Sequence, residues 1–192
     1  MVKSGLQNTF SNFDDPIPLV FSNELKYKDT ALTVTNSSTG SVSTITLPTQ
    51  GVGSTNRLGD RAKILKIELL GLHYSIGSQN DQIRFIMFQT KGRSPTPSVT
   101  DVLTSAASYA PYVYNARDAY EIVFDQLISV CPGSDNALVN IKQGYQPPIR
   151  DLKFVTGSND VYNGQLYILL IAANSSFTTS ALNVRLWFEE IS

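Results

Sequence analysis

Apolar residues recur at intervals of two along most of this chain, the spacing of a strand with one buried face. Leu25 and Tyr27, then Leu32 and Val34, predict a first strand whose alternation slips near Asp29. A turn-forming cluster at 36–41 separates it from a short strand begun by Val42, Ile45 and Leu47. Ala62–Ile76 predicts the longest strand; Ile64, Leu65, Ile67, Leu69, Leu70, Leu72, Tyr74 and Ile76 fall on both parities, so it reads as apolar on both faces. After a polar turn, Gln82–Thr90 returns, with Ile83, Phe85 and Met87 alternating against Arg84, Ile86 and Phe88. Lys91–Pro97 holds a glycine and two prolines, which cannot continue a ladder. One short helix is predicted next: Ser98 caps it, Asp101 completes a capping-box-like start, and Val99, Val102, Leu103 and Ala106 share a face. The aromatic stretch Tyr109–Tyr120 has no clean period. Five further strands are predicted at Glu121–Val130, Leu138–Lys142, Asp151–Val155, Leu166–Ala173 and Leu182–Ile191.

Eight or nine strands, one helix after the fourth and several long connections favour an all-β fold, an eight-stranded antiparallel jelly-roll sandwich rather than an up-and-down barrel. Met1–Ser22 has no sustained period and reads as an extended arm or a segment ordered only against a neighbour. Residues 23–192 then form one domain, a usual size for an undivided sandwich.

Composition adds one constraint. Charged residues are 16% of the chain, against roughly 25% in typical soluble domains, so either partners cover part of the exterior or a Ser/Thr/Asn-rich surface stays soluble without ions. The net charge is −1 and no run of Lys or Arg occurs, which counts against this chain alone neutralising a genome. A single cysteine, Cys131, excludes an intrachain disulfide and reads as intracellular or redox-indifferent. No apolar core follows a basic start, so a signal peptide is not expected. The longest apolar stretch, Leu166–Ala173, is far short of the roughly 20 residues of a membrane helix.

Catalytic chemistry finds little material. His73 is the only histidine and sits mid-strand between Leu72 and Tyr74, so a structural role is expected and no multi-histidine metal site can form. Cys131 has no histidine near it, and no nucleophile elbow or phosphate-binding glycine loop occurs. No enzyme is predicted. Carboxylates are sparse, sixteen in the chain, but locally paired at Asp14-Asp15 and Glu189-Glu190, with Asp60, Asp135 and Asp160 among the isolated ones. They read as solvated or salt-bridged groups, with Ca²⁺ held at a subunit contact as the sharper alternative. Glu189 and Glu190 point to opposite faces of one strand and make no dyad. The candidates for phosphate contact are Arg61 and Lys63, which share a strand face, with Lys3, Lys26 and Lys28 nearer the arm. Charges that block edge pairing account for them equally well.

Three pieces in register resemble a known family. Asn56-Arg57-Leu58-Gly59-Asp60-Arg61 opens the long strand, Ile83-Arg84-Phe85-Ile86-Met87-Phe88 follows a polar turn, and Ser94-Pro95-Thr96-Pro97-Ser98-Val99-Thr100-Asp101-Val102-Leu103 leads into the helix. Together they resemble the jelly-roll coat proteins of satellite necrosis viruses and the related capsids of small circular single-stranded DNA viruses. The likeness covers Asn56–Ser108 and is diffuse beyond. It implies an eight-stranded jelly roll, self-assembly into a small icosahedral shell (sixty copies in the simplest members), an enclosed RNA or DNA genome, and residence in the virion after synthesis in the host cytoplasm or nucleus. It implies no cofactor apart from Ca²⁺ at subunit contacts, for which no ligand motif matches, and no membrane partner; the host receptor is unknown. Members usually begin with an Arg/Lys-rich arm, whereas Met1–Asn12 holds Lys3 as its only basic residue. Either an arm has been removed, or the genome is held by other means, or the shell forms without it.

Shell assembly multiplies many weak contacts by symmetry, and aromatic residues are favoured anchors at such contacts. Tyr109, Tyr112, Tyr114 and Tyr120 are therefore the candidates for a subunit interface, against a satellite core within one subunit. A carbohydrate- or receptor-binding sandwich is the competing function; it predicts a monomer or trimer with an exposed aromatic platform.

Overall fold

The computed structural model describes residues 25–35, 37–75, 81–93, 95–130, 138–173 and 178–191. They form an all-β sandwich of two antiparallel sheets. The strands are β1 (Lys26–Thr35), β2 (Ser41–Thr44), β3 (Arg61–Ser75), β4 (Asp81–Thr90), β5 (Tyr120–Val130), β6 (Leu138–Tyr145), β7 (Asp151–Phe154), β8 (Val161–Asn163), β9 (Leu166–Ala172) and β10 (Thr178–Glu190). Two single-turn helices, α1 (Val99–Val102) and α2 (Ala116–Ala119), lie between β4 and β5. The first sheet runs β1-β10-β3-β7-β8, with β6 also paired to β3, and the second runs β2-β9-β4-β5.

The count differs from eight for two local reasons. β6 pairs with Ile67–Tyr74 of β3 and β7 with Arg61–Lys63, so the two are successive pieces of one course along β3. Pro147-Pro148 interrupts it, since proline donates nothing to a ladder. Buried Gln89 secures the gap, donating to Ile149 O at 2.8 Å and accepting from Ile149 N–H at 3.0 Å. β8 is a three-residue return paired to β7, too short for its own apolar alternation to announce it.

Two readings of strand pattern are corrected. β1 has no slip at Asp29: its register with β10 is unbroken from Lys26↔Phe188 to Thr35↔Thr179. Its inward row begins with Lys26, Lys28 and Thr30, so the apolar marks cover only half of it. β3 carries apolar residues on both faces past Ile67, but only one of those faces is buried. Phe188 pairs with Ile64 and Trp187 with Lys66, which leaves Leu65 as an extra residue in a bulge. The bulge moves the inward row from Ala62 and Ile64 to Ile67 and Leu69, all buried, and leaves Leu70 and Leu72 on the outer surface.

Between the sheets lies the main core, which includes Ile64, Ile67, Leu69, Phe85, Met87, Phe124, Ile168, Leu182, Val184 and Phe188. A second core lies on the other side of the second sheet, where residues 95–119 fold across its outer face. There Ile86, Phe88, Tyr167, Leu169 and Ile171 meet Val102, Leu103, Ala110 and Ala116. Both parities of β4 and β9 are therefore buried, which accounts for the unbroken apolar run of β9.

The predicted helix start is present at α1. Asp101 accepts from both the backbone N–H and the hydroxyl of Ser98, each at 2.7 Å, and these bonds hold its carboxyl below the usual range. The helix stops at Val102, so Ala106 lies beyond it and is exposed. Val102 and Leu103 insert into the second core. Gly40, in the turn before β2, has φ 71° and would place a Cβ 3.1 Å from Val99 Cγ2, so another residue there would be strained in its backbone and crowded against the helix. α2 was unforeseen; four residues are too few to show a helical period.

Candidate functional site

The turn Asn56–Asp60 is built around the Arg57 guanidinium, which is fully buried. It donates to Gly59 O and, at 2.6 Å, to Ser158 O in the β7–β8 turn, and it stacks 3.7 Å from the Phe154 ring centroid. Asp60 lies 3.7 Å away; burial lowers the Arg57 pKa, and the Asp60 charge acts against that shift. Arg57 thus fastens the entry of β3 to the β7–β8 hairpin. Fixing those two segments positions the outward residues of β3, β7 and β8 against one another.

The basic candidates separate. Lys26 is buried, 2.8 Å from Glu190 Oε1 and 3.2 Å from Asn56 O, and so braces the same turn. Lys28, at the start of β1, is half-buried. Lys63 pairs with Glu189 at 3.0 Å on the outer face of the first sheet. Arg61 is exposed on that face, opposite Lys153 of β7, and has no carboxylate partner among the described residues. Lys3 and the 1–22 arm lie outside the described residues, as do Cys131, Asp14, Asp15 and Asp135.

The tyrosines separate as well. Tyr120 is buried, its ring centroid 5.2 Å from that of Phe88. Tyr112 is half-buried and donates to Asp125 Oδ2 at 2.7 Å, with the Arg84 guanidinium 5.3 Å from its ring centroid. Arg84 forms a two-bond pair with Asp125 at 2.8 and 2.6 Å and donates to Ser108 O and Ala110 O at 3.3 and 2.5 Å. This set ties the 95–119 excursion to β4 and β5. Burial alone would raise the Asp125 carboxyl, but the bonds from Arg84 and Tyr112 outweigh it and hold the pKa below the usual carboxylate range. Burial first, then the hydrogen bond to Asp125 and that residue's charge, push the Tyr112 phenol up. The tether leaves Tyr109 and Tyr114 standing out, 89% and 93% exposed.

His73 is buried in the main core, its Nδ1 3.0 Å from Ser180 Oγ and its ring edge-on to Phe85. Glu189 and Glu190 go to different lysines, on opposite sides of β10. Among the described residues no three His, Cys, Asp or Glu side chains gather to hold a metal ion, and no helix is long and apolar enough to cross a membrane.

Several surface residues escaped the sequence reading. On the first sheet's outer face the Arg185 guanidinium lies 4.5 Å from the Tyr27 ring centroid and pairs with Asp29 at 2.7 and 2.8 Å, beside Trp187. Lys153 Nζ sits 5.6 Å from the ring centroid of Tyr162, which is 57% exposed. Only strand register brings these residues together, and the sequence spacing carries no sign of it. Compared with known protein families and with curated proteins, the chain has no match.

Proposed function

We propose that this chain is a viral capsid protein, a jelly roll that self-assembles into a small icosahedral shell around a nucleic-acid genome. The observation that carries the reading is strand order. β1-β10-β3-β6 faces β2-β9-β4-β5, the arrangement of a sandwich wound from two Greek keys, once β6 and β7 are counted as one interrupted strand. The resemblance over Asn56–Ser108 supports it. Arg57 and Asp60 of its first piece stand at the fastened entry of β3, its second piece is the doubly buried β4, and its third runs into α1. Exposed Tyr109 and Tyr114, presented by a tethered loop, suit anchors between subunits.

Size-exclusion chromatography and electron microscopy of the purified full-length chain test this. Closed particles of uniform diameter are expected; a chain that stays monomeric or trimeric over a range of salt and Ca²⁺ would sink the reading and favour a carbohydrate- or receptor-binding module. The double variant Tyr109→Ala/Tyr114→Ala should remain folded by circular dichroism but yield few or no particles. Undiminished yield would remove the two tyrosines from the interface.

A further inference from the structure

We propose that Arg61, Lys153 and Asn163, with the Tyr162 ring beside them, form a subsite for single-stranded nucleic acid: the cations hold a phosphate and the tyrosine stacks a base. The inference rests on the capsid reading, within which it names a genome contact that does not depend on a basic arm.

Arg61 of β3 pairs with Lys153 of β7, and Lys153 pairs with Asn163 of β8. Cross-strand partners share a face, so the three side chains form one row across three strands, spaced about 4.8 Å apart. Like charges directly opposite on an antiparallel pair destabilise it. Neighbouring cations on this sheet are compensated: Lys63 by Glu189 at 3.0 Å, Lys66 by Glu68 at 2.7 Å and Arg185 by Asp29 at 2.7 Å. Arg61 and Lys153 have no such partner among the described residues, and Asp151, two residues before Lys153, stands opposite Lys63. Asn163 Oδ1 already accepts the Lys153 backbone N–H at 3.2 Å, so what Asn163 has left to offer is its NH₂. The row is therefore all donors, the arrangement a phosphate oxygen requires.

Tyr162 distinguishes the ligand. Its ring is 57% exposed with the Lys153 ammonium near it. An open aromatic beside paired cations is how proteins hold single strands regardless of sequence, because every base has a stacking face. A duplex keeps its bases stacked inside and would meet this site through its phosphates alone.

The full-length chain, titrated against fluorescein-labelled dT12 and followed by anisotropy at several salt concentrations, tests the site. Arg61→Gln and Lys153→Gln should each weaken binding and flatten the slope of log affinity against log salt by about 0.7 for each phosphate that is no longer neutralised. Tyr162→Ala should weaken binding roughly 5- to 150-fold without changing the slope, and Tyr162→Phe should restore it. Parental affinity and slope in Arg61→Gln/Lys153→Gln would overturn the proposal. So would a site in which Tyr162→Ala has no effect while the cation variants lose a heparin oligosaccharide, which would make it a sulfated-glycan site. Electron microscopy of the same samples keeps the two readings apart. Particles with unaltered oligonucleotide binding refute the subsite alone; a monomer whose binding falls in the variants refutes the shell alone.

Discussion

The two outer faces of the sandwich were given opposite treatments. The second sheet's is covered by the 95–119 excursion, and Ile86, Phe88, Leu169 and Ile171 are fully buried there. The first sheet's is bare among the described residues, with Tyr27, Leu70 and Leu72 between 37% and 42% exposed. Its polar side chains pair laterally instead: Asp29 with Arg185, Lys66 with Glu68, Lys63 with Glu189. A strand with two buried faces carries core energy on both parities, and a strand with one buried face carries it on one. Outward substitutions at equivalent depth in the two sheets should therefore differ by several-fold in cost.

The largest effect falls on Phe88. Its ring lies 5.2 Å from Tyr120 and 5.6 Å from Tyr167 by centroids and is sealed from water. Phe88→Ala should cost about 3–5 kcal/mol, through lost transfer energy and the cavity left under the excursion. Leu70→Ala, outward on the bare face, should stay within about 0.5 kcal/mol. Urea unfolding midpoints of the two variants measure the contrast, and equal shifts would mean the excursion is not a core element.

The tether that holds the excursion comes next. Asp125→Ala removes the partner of Arg84 and Tyr112 and should cost about 1–2 kcal/mol, discounted for its partial exposure. Its pH signature follows from the two shifts. Folding lowers the Asp125 pKa, so its contribution is present above about pH 4 and is lost as pH falls through the folded value. Folding raises the Tyr112 pKa, so its contribution is complete below about pH 10 and is lost as pH rises beyond that. Asp125→Asn should flatten the acid limb of stability against pH, and Tyr112→Phe the alkaline limb.

Much of this architecture is legible in sequence. The limits of β4, β5 and β9, and the Ser98–Asp101 start of α1, follow from alternation, breakers and capping chemistry. Cover is harder to see. The double parity of β4 and β9 came from residues 95–119, whose aromatics have no period, while that of β3 came from a bulge at Leu65 and from the outward, exposed Leu70 and Leu72. Both produce one string of apolar letters, and only the partner strand's register separates them. The candidate site suffered similarly. Lys26 and Arg61 are both basic strand residues, yet one is sealed against Glu190 and the other faces Lys153 across a strand pair, contacts set by residues more than ninety positions away. Tyr112 and Tyr114, two apart, point to a carboxylate and to open solvent because a loop, unlike a strand, has no pattern to say which is inward.

The smallest effect belongs to the bare face's ion pairs. Arg185 and Asp29 make two bonds at 2.7 and 2.8 Å, as Arg84 and Asp125 do, so geometry alone would rank them together. Their surroundings decide otherwise. Arg84 is 12% exposed and also serves two backbone carbonyls of the excursion, whereas Arg185 is 37% exposed and serves only its neighbour strand. Salt screens charges in water and hardly reaches partly buried ones. Asp29→Asn should therefore lower stability slightly in dilute buffer and not measurably in about 1 M NaCl, where the Debye length is about 3 Å. Asp125→Asn should cost nearly the same in both. If Asp29→Asn keeps its cost at high salt, the bare face is shielded by something in solution, and a second subunit lying across Tyr27, Arg185 and Trp187 is the occupant the shell reading predicts.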